Sequence, residues 1–178
     1  MITIKDLGFS YGQNIVLKNI TMTLQEGRIY GLLGGNGVGK TTLLTLLSGL
    51  KAEKVGSIDI DGHRPYDREP SFLSEQYYLS DEVTAVNMTG AQYADTYGRF
   101  WEKFDYDKFI EIMGVFDVPT DQKMSQMSFG QLKKTYISFA LSCCTKYLFM
   151  DEPTNGLDIP SKAQFRKAVT KHTREDSV

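Results

Sequence analysis

Hydrophobic and polar positions alternate at the start of the chain, in residues 2–4 and again in residues 16–24, with a glycine-containing break at residues 11–12. A period of two is typical of strands that bury one face, and a short break between two such runs favours an antiparallel pair. Residues 56–62 alternate in the same way and end in an Asp-Gly turn signal. We therefore predict a small N-terminal antiparallel β unit and one further strand.

Apolar residues also cluster in two short runs. Residues 28–33 form the first run, which a glycine-rich loop follows. After the loop, residues 42–48 contain leucines at helical spacing. This order predicts a strand, a loop and a helix. The second run, residues 146–150, leads directly into Asp151 and Glu152 and predicts another short strand.

Helical spacing dominates the remaining segments. Residues 84–116 carry aromatic side chains three and four positions apart, so one helix face there is apolar. The residues of this face are Tyr93, Tyr97, Phe100, Trp101 and Phe104. We expect the face to be mainly core, within a helical insert over about residues 80–125. Residues 131–144 also have helical character, and Pro160 suits the start of a last helix.

Composition fits an ordinary soluble globular protein and disfavours several function classes. The 178 residues are 41% apolar and 24% charged, as expected for one domain over residues 1–178. A formal net charge of -2 provides no basic field, so we expect no direct nucleic-acid partner. No apolar run approaches the ~18 residues that span a bilayer, and a signal-peptide pattern is missing, which predicts a cytoplasmic protein. Adjacent Cys143 and Cys144 have poor disulfide geometry and are expected to be buried thiols.

Residues 34–41 match the phosphate-loop pattern G-x-x-x-x-G-K-S/T, between a predicted strand and a predicted helix. Glycines let backbone N–H groups point into one concavity, and the helix N-terminus adds partial positive charge. Lys40 supplies a full charge to the phosphates, and the Thr41 hydroxyl is placed to coordinate Mg²⁺. The alternative, a glycine-rich turn with an accidental lysine, is disfavoured by this context. The predicted nucleotide-binding residues are Gly34, Gly35, Asn36, Gly37, Val38, Gly39, Lys40, Thr41 and Thr42.

A carboxylate pair, Asp151 and Glu152, stands at the predicted end of the second apolar strand. Open α/β sheets bind their ligands at the carboxyl ends of strands. We therefore expect Asp151 to reach the Mg²⁺ shell and Glu152 to orient or deprotonate the attacking water. Taken alone, such a pair is better explained by a helix cap or by two solvated carboxylates.

Together with residues 125–131 and 153–158, this pair makes the chain resemble the ATP-binding-cassette (ABC) family over its whole length. The resemblance implies an α/β fold, the P-loop NTPase fold of ABC type, with a mainly parallel core sheet, an N-terminal antiparallel β subdomain and a helical insert. It also implies four motifs, namely the Walker A loop at 34–41, the Walker B strand at 146–151, the signature motif at 128–131 and the D-loop at 156–158.

The resemblance implies roles for further residues. Gln76 matches the Q-loop glutamine, which takes part in catalysis and Mg²⁺ binding, and Tyr11 matches the aromatic residue that stacks on adenine. The signature residues expected to contact ATP are Ser128, Gly130 and Gln131. Each has an ordinary explanation too, because Tyr11 could be a core or turn tyrosine, and Gln76 a surface glutamine. Ser128 with Gln131 three positions later is also a capping-box pattern, which is compatible with presenting backbone N–H groups to phosphate.

Two features depart from the family pattern. The signature motif usually reads Leu-Ser-Gly-Gly-Gln, whereas Phe129 here replaces a glycine. The family also has a switch histidine on a later strand, and this chain ends about where that strand would begin, so we expect a cassette without its C-terminal part and with poor activity. His63 and His172 do not match that position and are expected to be ordinary surface histidines.

The leading functional hypothesis is an ATP-binding and ATP-hydrolysing subunit of an ABC membrane transporter. Its expected cofactors are ATP and Mg²⁺, and its expected partners are a second cassette and transmembrane subunits that hold it at the inner face of the membrane. A soluble ABC ATPase of translation or DNA maintenance is the alternative, disfavoured because residues 40–128 leave no room for a long coiled-coil insertion and only one cassette is present. A kinase needs neither the signature motif nor the D-loop.

Overall fold

The alternating runs at the N-terminus form two long strands in the computed structural model, which describes residues 1–172. Strand β1 (Ile2–Tyr11) pairs antiparallel with β2 (Asn14–Leu24), and β3 (Val55–Ile60) pairs antiparallel with the other edge of β1. The sheet order is therefore β2-β1-β3, and the predicted antiparallel β unit is confirmed.

The described residues divide into two compact units, residues 1–76 and residues 77–172. The first unit contains the three-stranded sheet, helix α1 (Lys40–Leu47) and the short helix α2 (Pro70–Ser74). Ile2 and Ile4 of β1 are fully buried in it, as the alternation of the sequence requires. Leu7 is also fully buried, although it lies three residues further on, because the register of β1 shifts between Ile4 and Leu7.

The second unit contains four helices and a parallel pair of strands. The helices are α3 (Gly90–Tyr97), α4 (Tyr106–Val115), α5 (Phe129–Ser142) and α6 (Ile159–His172). The strands are β4 (Gln76–Leu79), which begins at the boundary between the units, and β5 (Tyr147–Met150). The core is apolar and contains the fully buried Phe109, Phe116 and Ile137, with Phe139 at 1% exposure.

The prediction of a strand over residues 28–33 is wrong for the described structure, which assigns no regular secondary structure there. A strand exists only where a neighbouring strand completes its hydrogen-bond ladder, and no such partner occurs within residues 1–172. The apolar side chains of the run are correspondingly exposed, and Leu33 reaches 93%. Gly31 inside the run further lowers its tendency to form a strand.

Two smaller expectations need correction. The side chain of His172 is only 8% exposed, so it is not a surface histidine, and burial lowers the pKa of its imidazole. Cys143 is buried as expected, whereas Cys144 is only half-buried and has a left-handed backbone conformation. The strand expected close to the chain end lies outside the described residues. Among the helices of residues 1–172, none is both long and apolar enough to cross a membrane.

Candidate functional site

The phosphate loop runs into helix α1 through Gly39, which has a φ of 102°. L-residues rarely adopt this conformation, and a Cβ atom at Gly39 would lie 2.7 Å from Leu17 Cδ2 and 2.9 Å from Val16 Cγ1. Only glycine therefore fits between the loop and β2. This close approach fixes the direction in which α1 leaves the loop.

The N-terminus of α1 has no side-chain cap. The first backbone N–H groups of a helix have no partner within the helix, and they favour an anion at this end. The Nζ atom of Lys40 lies 3.0 Å from the carbonyl oxygens of both Gly34 and Gly35, so its ammonium group stays over the loop. Within the first unit the structure thus brings amide donors and a lysine charge to one place, as phosphate binding requires.

Tyr11 ends β1 next to the first turn of α1. Its Oη lies 3.4 Å from Thr42 Oγ1, and Lys51 Nζ lies 4.9 Å from the centre of its ring. The hydrogen bond with Thr42, followed by the influence of Lys51, lowers the pKa of the Tyr11 phenol. Tyr11 is 46% exposed, so it is not the core tyrosine that sequence alone left possible. Adenine stacking by Tyr11 stays a prediction.

In the second unit, β5 ends directly before Asp151 and Glu152. Asp151 is 4% exposed, and its backbone N–H donates to the carbonyl oxygen of Leu79 at the end of β4, over 2.9 Å. Burial, and after it the nearby Asp151 carboxylate, raises the pKa of Tyr78 to about 12. The adjacent Glu152 is exposed and has a φ of 43°, which is uncommon for a residue with a side chain.

The N-terminus of α5 carries the capping box that the sequence pattern predicts. The backbone N–H of Gln131 donates to Ser128 Oγ over 3.2 Å, and the backbone N–H of Ser128 donates to Gln131 Oε1 over 2.9 Å. These two bonds fix the first turn of the helix that begins at Phe129. The predicted role of Ser128, Gly130 and Gln131 at ATP stays a prediction.

Phe129, the departure from the family signature, lies against Gly156 of the predicted D-loop. A Cβ atom at Gly156, whose φ is 75°, would lie 2.3 Å from Phe129 Cε1. The aromatic ring therefore occupies the space that a side chain at position 156 would need. Phe129 as a residue is nevertheless 49% exposed, beside Ser128 and Gly130 in the sequence.

Gln76 and Asp81 lie at opposite ends of β4, and the sequence motifs did not point to Asp81. Gln76 is the first residue of the strand, at its amino end, whereas Asp81 lies two residues beyond its carboxyl end. Parallel sheets gather functional groups at carboxyl ends of strands. A carboxylate just past a strand end is the signal that would have drawn attention to Asp81. The catalytic and Mg²⁺ roles of Gln76 stay predictions.

The phosphate loop, the carboxylate pair at a strand end and the capped helix of the signature motif define an ATP-binding protein of the P-loop class. A family model described as "ABC transporter" matches residues 17–155, and this chain belongs to that family. The match covers the phosphate loop, the signature motif and the carboxylate pair. The predicted family is confirmed. The predicted class within it, the ATP-binding subunits of ABC transporters, which are ATPases, is confirmed as well.

One similar relative is the petrobactin import ATP-binding protein YclP of Bacillus subtilis (strain 168). It is 26% identical over 98% of this chain and 73% of its own length. Other curated relatives are matched over smaller shares of their length, 56% and 34% in two cases. The chain thus spans between about a third and three quarters of the length of these relatives.

Solved structures agree on the fold. An ABC transporter ATP-binding protein from Pyrococcus furiosus has a TM-score of 0.86 at 22% identity, over 99% of this chain and 87% of that one. The ATP-binding cassette MJ0796, in a dimeric post-hydrolysis state bound to ADP and Pi, has a TM-score of 0.81 at 20% identity, over 99% and 84%. The predicted P-loop NTPase fold of ABC type is confirmed. The soluble alternative in translation or DNA maintenance is not favoured, because the curated relatives include ATP-binding proteins of import systems.

Proposed function

We propose that this chain binds and hydrolyses Mg-ATP as a subunit of an ABC membrane transporter, and that dimerisation of two cassettes around ATP drives solute transport. The observation that carries the proposal is the phosphate loop, where the uncapped N-terminus of α1 and the Lys40 ammonium converge. Both features favour a polyphosphate over a neutral ligand.

The phosphate groups would be bound by backbone donors more than by side chains. The amides of Thr41 and Thr42 lie at the positive end of the α1 dipole, and Lys40 adds a full charge over the loop. The remaining residues from Gly34 to Val38 contribute their backbone amides. Tyr11 would stack its exposed ring on the base, which separates recognition of adenine from recognition of phosphate.

The side chains that the sequence predicts at the Mg²⁺ ion are, by chemical type, ones that would suit an ion shared with phosphate. Mg²⁺ prefers one or two carboxylates and hydroxyl ligands together with phosphate oxygens, rather than an all-protein cage. Thr41 offers a hydroxyl at an exposed position and Asp151 a buried carboxylate, with Gln76 as a further candidate from family resemblance. Within residues 1–172, no group of three or more His, Cys, Asp or Glu side chains could hold a metal by itself. When bound, the ion would neutralise charge that develops on the phosphates.

Glu152 would handle the attacking water. Its carboxylate is exposed directly after β5, where it can accept a proton from a water molecule or orient it. General-base catalysis contributes about 10²–10⁴-fold to rates. Ser128 and Gly130 would contact the γ-phosphate bound by a second cassette, at the capped N-terminus of α5.

The proposed partners are a second cassette and transmembrane subunits. The dimeric state of the structural neighbour MJ0796 supports the first, and the import function named for the Bacillus relative supports the second. Attachment to such subunits would hold the chain at the cytoplasmic face of the membrane. The solute and the direction of transport would be set by the membrane subunits.

The test is calorimetric titration with Mg-ATP, followed by a phosphate-release assay. We expect Lys40→Ala to lose roughly 1.5–3 kcal/mol of binding free energy, about ten- to a hundredfold in affinity, because it removes a charge-assisted hydrogen bond to phosphate. Lys18→Ala, at a lysine in β2 outside the loop, is the matched control and should bind like the parent protein. Equal affinity of Lys40→Ala and the parent would exclude the assigned loop.

A further inference from the structure

Lys133 is buried in the second unit, with 0% of its side chain exposed, on helix α5. Its ammonium donates to the carbonyl oxygen of Asp81 over 2.7 Å, to Asp81 Oδ1 over 3.2 Å and to the carbonyl oxygen of Ser80 over 3.3 Å. Burial of a charge is costly unless it is paired and hydrogen-bonded. Three donors with three acceptors meet this condition, so α5 is tied to the segment that follows β4.

The Asp81 carboxylate has a second partner on a different element. Asn155 Nδ2 lies 3.2 Å from both carboxylate oxygens of Asp81. The backbone N–H of Asn155 in turn donates to the carbonyl oxygen of Glu152 over 3.0 Å and closes the turn between them. Asp81 therefore joins α5 to the turn that carries Glu152.

The connection matters because the backbone conformation of Glu152 needs support from its surroundings. A φ of 43° is uncommon for a residue with a side chain, and such a conformation persists only where the surrounding structure holds it. The turn is held at Asn155 by the Asp81 carboxylate and at Gly156 by the ring of Phe129. Both contacts lead to α5, whose first turn contains the signature motif.

We propose that Asp81 is a positioning residue for ATP hydrolysis, which fixes the Glu152 turn to the signature helix through Lys133 and Asn155. The role rests on the proposed function, because it has a purpose only if Glu152 handles the attacking water. A movement of α5 is passed to the Glu152 backbone through the carboxylate of Asp81. The network acts through Glu152.

A purely structural ion pair would behave differently from a positioning network. Asn155 is exposed, and substitutions at exposed positions usually change stability little. Asn155→Ala removes the link to the turn but leaves the buried pair of Lys133 and Asp81 intact. We expect its melting temperature to stay within about 2 °C of the parent value. We expect its kcat for Mg-ATP to fall roughly tenfold with KM unchanged, because the turn loses its orientation but ATP binding does not.

Exchanging the carboxylate of Asp81 with the amide of Asn155 provides a second test of the network. Asn155→Asp places two carboxylates against each other and should lower kcat at least as much as Asn155→Ala. In the double variant Asp81→Asn/Asn155→Asp, the amide introduced at position 81 donates to the carboxylate introduced at position 155, and its oxygen still accepts from Lys133. We expect kcat to return to within about threefold of the parent value, as coupled neighbours recover in a double-mutant cycle.

Steady-state phosphate release by the parent and the three variants decides between the outcomes. Loss of kcat in Asn155→Ala and recovery in the double variant support the positioning role. A parent protein that hydrolyses ATP in a Mg²⁺-dependent way, with an unchanged kcat in Asn155→Ala, overturns the positioning role alone. Equal loss in Asn155→Asp and in the double variant overturns it as well. A parent protein without any Mg²⁺-dependent turnover overturns the proposed function together with this inference.

Discussion

Tyr11 illustrates how much of the site depends on single side chains. Its ring packs edge-on against Phe9, with 5.1 Å between the ring centres, and its hydroxyl contacts Thr42. These contacts orient the ring beside the first turn of α1, while nearly half of its surface stays accessible. A tyrosine that is fixed in place and still exposed is suited to stacking on a base.

We predict that Tyr11→Ala weakens the binding of ATP and ADP alike by about 1–3 kcal/mol, the range seen for stacking of bases on aromatic side chains. Inorganic triphosphate should bind the variant and the parent equally, because it has no base. Tyr11→Phe retains the ring and is the control that should preserve nucleotide affinity. Isothermal titration with the three ligands makes the comparison. A loss of affinity shared by triphosphate would show that Tyr11 supports the loop rather than the base.

Individual elements differed in how far local sequence determined them. The capping box of Ser128 and Gln131, and the alternation in β1 and β2, were predictable because both depend on residues that are close in sequence. The segment 28–33 was not, since a strand needs a ladder partner from elsewhere in the chain. The network of Asp81 and the burial of His172 are not predictable for the same reason, because burial and partners arise only in the tertiary structure.

The contact between Phe129, at the start of α5, and Gly156, in the predicted D-loop, can be tested through protein stability. Gly156→Ala should destabilise the protein by more than the about 1–2 kcal/mol that a left-handed backbone costs a residue with a Cβ, because the methyl group also meets the Phe129 ring. Combining it with Phe129→Ala should remove the steric part only. Urea unfolding of the single and double variants measures both parts.

Gly114→Ala is the matched control for Gly156→Ala. Gly114 lies in α4, and a Cβ atom there would meet nothing within 4 Å. The control should therefore be neutral or slightly stabilising, since alanine favours helix more than glycine. If Gly156→Ala unfolds at the same urea concentration as Gly114→Ala, the close approach of Phe129 to Gly156 does not exist in solution.

At the scale of the whole molecule, some aromatic residues of the helical insert are packed in the core and others are exposed. Tyr93, Trp101 and Phe104 pack against the core of the second unit, as expected for most of this face. Phe100 is instead 72% exposed, with its ring centre 6.5 Å from those of Tyr97 and Trp101. Tyr97 is also exposed, at 36%. Exposed aromatic residues at the edge of a buried cluster are a suitable contact for an apolar partner surface.

We predict that the protein co-purifies from membranes with a polytopic partner and that Phe100→Glu releases it, because a charge would have to be desolvated in the interface. Ile15→Glu, at an equally exposed apolar position of β2, should leave the complex intact. Affinity purification from detergent-solubilised membranes, followed by mass spectrometry, provides the comparison. Recovery only in soluble complexes with ribosomes or DNA would contradict a transporter role.

The central claim is that two cassettes close around ATP, and trapping of that dimer tests it most directly. Glu152→Gln retains the shape of the side chain but cannot accept a proton, so ATP should stay bound and uncleaved. In light scattering coupled to size-exclusion chromatography, we expect Glu152→Gln to be dimeric with Mg-ATP and monomeric with Mg-ADP. The double variant Lys40→Ala/Glu152→Gln should stay monomeric with both nucleotides. If Glu152→Gln remains monomeric with saturating Mg-ATP at every protein concentration, the shared-site account is wrong.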